Sequence, residues 1–243
     1  MRDGDNVREA LRAGMSESDM ELLRALGGLA ESRGTSAFVV GGVVRDLLLG
    51  RATKDLDVVV EEDAIAFGEA AAEHLGGSVK AHTRFGTVIL VTPTGGRVDL
   101  ATARSEVYER PGALPTVSGG DMRQDQLRRD FTINSMAVSL STRDFGRLSD
   151  PFGGVDDLRN GVLRVMHERS FEDDPTRVLR AVRFAARLDM SIEPETGRLL
   201  RRAVDERRLD TVSGERILNE LRLILSEPDP LPPVRRMVEW DVF

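Results

Sequence analysis

The sequence predicts an α/β head followed by an all-helical segment, and three observations carry that prediction. Up to about residue 166, short apolar runs of strand length alternate with stretches of helical periodicity. Beyond that point strand signals stop. Only helical periodicity remains, over 174–188, 194–207 and 213–226. The 243 residues suffice for one large domain or two small ones. We divide them into a head over 1–165, of which 1–33 is an N-terminal extension and helix, and a helical segment over 166–243.

The elements follow in order. Residues 17–33 read as an amphipathic helix, and Ala37-Phe38-Val39-Val40 as a buried strand. That strand ends at Gly41-Gly42 and gives way to a helix over Val43–Leu49, stopped by Gly50. Leu56–Val60 is the next strand, and 63–75 an Ala-rich helix closed by Gly76-Gly77. Thr87–Val91 and Arg97–Ala101 are strands joined by a hairpin loop, Thr92-Pro93-Thr94-Gly95-Gly96. Residues 104–126, polar and rich in Gly and Pro, read as a mobile loop, and Phe131–Leu140 as a helix. Asp150-Pro151-Phe152-Gly153-Gly154 is a turn cluster. The last five residues, Glu239–Phe243, are amphipathic with no cap or breaker and read as a helix cut short.

Composition excludes several classes. Hydrophobic residues make up 40% and charged residues 31%, as in a soluble globular protein. No apolar run approaches the ~20 residues that cross a bilayer, and the charged N-terminus lacks a signal-peptide core. The absence of cysteine excludes disulfides and thiolate metal sites. A cytoplasmic protein is the simplest reading. A net charge of −7 excludes a uniformly basic nucleic-acid binder, so any RNA contact must come from local patches. Arg177 to Arg187, with four arginines and no acid, is one candidate. Only Lys54 and Lys80 are lysines; the preference for arginine is either compositional bias or phosphate recognition.

Asp55-Leu56-Asp57 is the most informative triplet. In a strand, residues two apart share a face, and two carboxylates so placed repel unless a cation lies between them. Hard divalent cations take oxygen ligands, Mg²⁺ commonly one or two carboxylates plus substrate phosphates. Asp99, in Arg97-Val98-Asp99-Leu100, joins them if its strand is adjacent. Three carboxylates would suit a two-metal site; an isolated pair would more often be solvated surface. Upstream, Gly41-Gly42 follows a strand and opens a helix. There the backbone can approach a ligand, free N–H groups favour an anion, and Arg45 can bond a phosphate.

These residues resemble the class II tRNA nucleotidyltransferases and bacterial poly(A) polymerases. Phe38 to Gly50 with Lys54-Asp55-Leu56-Asp57 is similar to the family signature. Val98 to Arg104 resembles its strand with the third carboxylate, and Arg128-Arg129-Asp130-Phe131-Thr132-Ile133-Asn134 its RRDFTIN element. Asp150 to Leu158 resembles its hinge, Asp173 to Phe184 its nucleotide-selecting helix, and Gly214-Glu215-Arg216-Ile217 with Glu220-Leu221 a further helical motif. One departure is Asp173, where the family often has Glu. The match runs from about 37 to 225, with motifs in order.

The resemblance implies a nucleotidyltransferase head on a mixed β-sheet with flanking helices, then helical neck and the start of a body. It implies transfer of CMP or AMP from CTP or ATP to the 3′-end of tRNA, with two Mg²⁺ ions and no membrane. Asp55 and Asp57 would hold Mg²⁺, and Asp99 would help activate the RNA 3′-hydroxyl. Gly41, Gly42 and Arg45 would meet the triphosphate, and Arg129 the nucleotide or its phosphates. Asp174 and Arg177 would read the Watson–Crick edge of cytosine or adenine, with Arg180 and Arg183 further along that helix. The residues alone, without the resemblance, read rather as an Asp174–Arg177 salt bridge at a helix start. His74, His82 and His167 share no spacing and take no role. CCA, CC or A addition and poly(A) synthesis remain open. A non-catalytic RNA-binding fragment and a small-molecule nucleotidyltransferase are the readings of other classes.

Overall fold

A computed structural model describes residues 1–53, 56–82 and 86–242, apart from the side chains of Ala81 and His82. The chain divides into two compact units, Met1–Ser105 with Ser118–Arg129 and Ile133–Val155, and Glu106–Val117 with Asp130–Thr132 and Asp156–Phe243.

The first unit begins with α1 (Arg8–Gly14), α2 (Glu17–Ser32), β1 (Ala37–Val40), α3 (Gly42–Leu48), β2 (Asp57–Val60) and α4 (Ala64–Leu75). Next come β3 (Ser78–His82), β4 (Thr87–Val91), β5 (Arg97–Thr102), α5 (Met122–Leu127), β8 (Ala137–Ser139) and β9 (Leu148–Ser149), while the residues of a ribbon of β6 (Arg104–Val107) and β7 (Thr116–Gly119) are divided between the two units. Seven strands form one mixed sheet in the order β3-β4-β5-β2-β1-β8-β9. β2 and β5 run parallel, and the other neighbours run antiparallel.

Alternation along the strands assigns the two faces. Val88 and Leu100 point at α4, which lies so close that a Cβ on Gly68 would come within 2.7 Å of Val88 and 3.3 Å of Leu100. On the opposite face Phe38, Val40, Val59, Ala101, Ala103 and Ala137 form one apolar cluster closed by Met122 of α5. Asp57 and Asp99 share the parity of Val59 and Ala101, so they stand on the face that α5 covers.

Local chemistry explains the boundaries. Ser16 and Asp19 form a capping box on α2, and Asp121 and Gln124 form one on α5. Asp63 caps α4, which ends at Gly76 in the left-handed conformation. Three expectations need correction here. Residues 104–126, expected as one loop, hold the β6–β7 ribbon and most of α5, with only 108–115 and 120–121 left outside regular elements. Phe131–Leu140 is not a helix but a short 3-10 turn over Thr132–Asn134 and then β8, because a short apolar run fits a buried strand as well as a helix. β3, an edge strand, was not expected. Residues 4–6 pair alongside β9 through Gly4 N–H to Leu148 O (2.9 Å) and Leu148 N–H to Asp5 O (2.8 Å).

The second unit carries α6 (Gly154–Asn160), β10 (Val162–Leu163), α7 (Ser170–Asp173), α8 (Thr176–Arg187), β11 (Ser191–Ile192), α9 (Pro194–Asp205), α10 (Gly214–Leu225) and α11 (Leu231–Glu239). α8 buries Val178, Leu179, Ala181, Val182 and Ala185, and both α10 and α11 pack on it. Phe131, fully buried, meets Phe184 edge-on at 5.9 Å. Strand signals do not stop at 166: β10 and β11 pair in parallel, but each is two residues long and leaves no readable period. The helix expected at 239–243 ends at Glu239, and Asp241 takes φ 54.

Candidate active site

The site in the first unit starts from a backbone constraint. Gly41, between β1 and α3, has φ 67 and ψ −131, a conformation that side chains exclude. Its N–H donates to Met136 O at 3.2 Å, and a Cβ there would lie 2.7 Å from Nη1 of Arg129. The glycine therefore lets the turn close onto an arginine.

That arginine is one of two held by a single buried acid. Asp125, 0% exposed, accepts from Nε and Nη2 of Arg128 (2.9 and 2.6 Å) and from Nε and Nη2 of Arg129 (3.2 and 2.8 Å). Burial pushes the Asp125 carboxyl up, but the charges and hydrogen bonds of Arg129 and Arg128 outweigh it and hold the group below the ordinary carboxylate range. Arg129 also donates to Asn134 O at 3.4 Å.

The carboxylates come from the strand pair opposite. Asp57 and Asp99 are register partners of the parallel β2 and β5, so neighbouring strands, about 4.8 Å apart, present two acids side by side on one face. Asp99 accepts from Arg97 at 3.1 Å, an exposed pair of small worth. A cavity of about 360 Å³ is lined by Gly41, Gly42, Asp57, Asp99, Arg128 and Arg129 on a floor of Val40, Val59 and Ala101. Asp55 lies outside the described residues. Among those described, no group of three or more ligating side chains is placed to hold an ion. Asp57 and Asp99 nevertheless fit one: two all-oxygen ligands at adjacent register positions suit a hard divalent cation, which would relieve their repulsion.

Arg45 does not line this cavity. It is 4% exposed, with Nε and Nη2 on Asp46 (both 2.9 Å) and Nη1 on Asn134 Oδ1 (2.6 Å), so it ties α3 to the segment behind the glycine turn. Arg128 and Asp125 were not singled out from sequence. Arg128 was visible in the arginine doublet; Asp125 gains its i,i+3 and i,i+4 meaning only once α5 and its C-cap are seen.

The other candidate residues belong to the second unit. Asp174 precedes α8, in the break at Pro175. It accepts from Thr176 N–H (3.0 Å), Thr176 Oγ1 (2.6 Å) and Arg216 Nη2 (2.7 Å). The Asp174–Arg177 salt bridge read as an alternative is therefore replaced by a bond to Arg216, which also donates to Gly112 O at 3.0 Å. Arg177 is 4% exposed and donates to Ser170 O at 3.4 Å. Tyr108 feels the charges of both Arg177 and Asp174, and its hydroxyl donates to Glu106 at 2.9 Å; burial raises its pKa. His167 is half-buried, and burial with the nearby Arg177 lowers its pKa.

Arg180 bonds Asp130 (2.5 Å) and Glu220 (3.3 Å), and Arg183 pairs with Glu220 and Glu227 (both 3.7 Å). Asp130 holds Arg180 above its usual pKa, whereas burial lowers that of Arg183. The expected basic patch at 177–187 is thus corrected: Arg180, Arg183 and Arg187 are matched by acids distant in sequence.

An α/β head with a cavity lined by paired acids and paired arginines defines the class of the protein. Comparison with known proteins gives that class its family. Residues 37–164 match the family described as "Poly A polymerase head domain", and 189–243 one described as "Probable RNA and SrmB- binding site of polymerase A". The chain belongs to the poly(A) polymerase head-domain family. It is 48% identical to an A-adding tRNA nucleotidyltransferase of Geobacter sulfurreducens, over 89% of this chain and 24% of the relative. It is 40% identical to one of Halalkalibacterium halodurans, over 98% and 56%. A solved CCA-adding enzyme in an apo form superposes with a TM-score of 0.96 at 44% identity, covering 100% of this chain and 57% of that one. The Thermotoga maritima CCA-adding enzyme complexed with tRNA gives 0.86 at 43%, covering 100% and 55%. The chain spans from a quarter to just over half of the length of these relatives. Among the described residues no helix is long and apolar enough to cross a membrane.

Proposed function

We propose that this chain is a template-independent nucleotidyltransferase that transfers AMP, or CMP, from ATP or CTP to the 3′-end of tRNA, in the cytoplasm. The 3′-oxygen forms a bond to the α-phosphorus, the α–β phosphoanhydride breaks, and pyrophosphate leaves. The register of Asp57 with Asp99 is the observation that carries this reading. Adenylate is the favoured substrate because the two relatives compared are A-adding enzymes.

Asp55, Asp57 and Asp99 would hold the Mg²⁺ ions. When bound, these ions lower the pKa of the attacking hydroxyl and offset triphosphate charge. Asp99 orients the 3′-hydroxyl. Gly41 and Gly42 let the triphosphate approach the backbone, Arg128 and Arg129 draw it in, and Asp125 fixes both arginines. Arg45 acts from behind, keeping Asn134 and the turn in place. Asp174 accepts from the exocyclic amino group of adenine or cytosine and Arg177 donates to the ring edge; a bidentate base contact is worth about 1–3 kcal/mol. G and U present a carbonyl where Asp174 needs a donor. Arg180 and Arg183 support the helix through their acids.

The test is incorporation of labelled ATP and CTP, with Mg²⁺, into tRNAs ending before C, CC and CCA. Asp55→Ala, Asp57→Ala and Asp99→Asn should each lower incorporation at least about a hundredfold, equivalent to about 2.7 kcal/mol. Long A tails on unrelated RNA would favour poly(A) synthesis instead. RNA binding without incorporation from either nucleotide would leave a non-catalytic RNA-binding fragment.

A further inference from the structure

Another cavity, rimmed by arginines, lies at the far edge of the sheet, away from the β2–β5 pair. α1 and α2 pack together there beside the turn joining β8 to β9. Gly146, at φ 84, closes that turn against Asn6 and Arg8, where a Cβ would meet Asn6 Oδ1 at 3.0 Å and Arg8 Cβ at 3.1 Å. Asn6 Nδ2 and Arg8 Nη2 both donate to Phe145 O at 3.0 Å. The result is a cavity of about 330 Å³ lined by Arg8, Arg12, Arg24, Leu140, Thr142 and Phe145.

The electrostatics of this cavity are one-sided. Phe145, 6% exposed, is flanked by the guanidinium carbons of Arg8 and Arg24 at 5.9 and 5.6 Å from its ring centre. Cation–π attraction holds each arginine on the ring, yet two like charges on one ring repel. Arg12 adds a third. None of the three has a carboxylate within ion-pair distance among the described residues, and no acid lines the cavity. Glu31, close by, is taken up by Thr142 Oγ1 and Arg143. In a chain of net charge −7, three exposed guanidiniums around a concave apolar floor are a built receptor for an anion.

We infer that Arg8, Arg12 and Arg24 around Phe145 bind phosphate groups of the RNA backbone, a contact separate from the carboxylate cavity. The inference rests on the proposed function, which supplies RNA as the substrate. The planar guanidiniums fit phosphate oxygens, while Phe145 and Leu140 keep the arginine stems in place. Free nucleotide carries the same chemistry, so the experiment must separate the two sources.

The experiment measures tRNA affinity of the whole chain against salt concentration, for the wild type and for Arg12→Gln, Arg24→Gln. These two arginines are exposed and spare the Arg8 bond to Phe145 O. Losing two phosphate contacts should flatten the slope of log affinity against log salt by about 1.4 to 1.8. The melting temperature and ATP affinity should stay unchanged. Arg12→Lys, Arg24→Lys, which keeps the charge, should keep the slope. An unchanged slope in the glutamine variant, with the wild type binding tRNA, overturns the pocket and leaves the proposed function standing. A wild type that binds no RNA overturns both. A fall in ATP affinity at constant RNA slope overturns the RNA assignment in favour of free nucleotide.

Discussion

At the scale of single residues, Asp125 is the hinge of the charge balance in the cavity. It is fully buried and satisfies Arg128 and Arg129 together, so Asp125→Asn would leave two partly buried guanidiniums short of their counter-charge. Breaking a buried pair from one side costs about 3 kcal/mol or more, and urea denaturation should show that loss. The pH dependence has a definite sign. A carboxyl depressed in the folded state contributes stability that is complete above its unfolded pKa of about 3.9. That contribution fades as pH falls through the lower folded value. The wild type should therefore lose stability below about pH 4 more steeply than Asp125→Asn. Arg216 is the matching residue of the second unit. Because it supplies the bond that fixes Asp174, Arg216→Ala should raise KM for ATP about tenfold, equivalent to about 1.4 kcal/mol, and relax discrimination against GTP. Arg216→Lys should restore charge but not discrimination, since one ammonium cannot reproduce the fork between Asp174 and Gly112 O. An unaltered ATP:GTP ratio in Arg216→Ala would argue against Asp174 as base reader.

At the scale of elements, legibility followed length and chemistry. Ala37–Val40, Thr87–Val91 and the Ala-rich α4 were readable because each is an apolar run closed by turn residues, Gly41-Gly42, Thr92 to Gly96 and Gly76-Gly77. The capping box Asp121–Gln124 was also present in the sequence, but Gly and Pro around it suggested a loop, and the turn chemistry was read over the cap. β8 was missed because its partner, β1, lies about a hundred residues earlier. Acid partners of α8 were missed for the same reason: Asp130, Glu220 and Glu227 lie outside any local window. Packing between elements depends on glycines whose role no periodicity reveals. A Cβ on Gly27 of α2 would lie 1.9 Å from Leu140 O, so Gly27→Ala must push α2 off the end of β8. Overpacking of this kind costs about 1–3 kcal/mol; a lowered melting temperature with unchanged helix content would register it, whereas an unchanged melt would mean that α2 shifts freely.

At the scale of the whole molecule, the carboxylate site and the core are separate investments of the sequence. The core of the first unit is built from Val, Leu, Ala and Phe on both sheet faces, and Asp57 and Asp99 sit where one face opens to the cavity. Both acids line the cavity rather than the apolar core, so removal of divalent cations should abolish incorporation without unfolding the chain. Chelation should leave the circular dichroism spectrum and melting temperature within error, and added Mg²⁺ should restore activity. A drop in melting temperature on chelation would instead make the cation a structural ligand. Gly41, Gly42, Asp57, Asp99 and Arg129, which line the cavity, were all legible in their motifs. What sequence alone could not give was the register that sets Asp57 against Asp99, or the fact that Arg45, on the motif itself, faces inward.

The parallel pairing of β2 with β5 has a consequence for synthesis. Its two acids are forty-two positions apart, and β1, in the middle of the sheet, awaits β8. Contacts of such sequence separation form only after long loops close. A chain emerging from the ribosome therefore has no Asp57–Asp99 pair until residues beyond Asp99 are free, and no complete sheet until those beyond Ser149 are. The mutual repulsion of the carboxylates is imposed on a scaffold already nearly assembled, so a partly made chain has no ready-made seat for a cation and nucleotide.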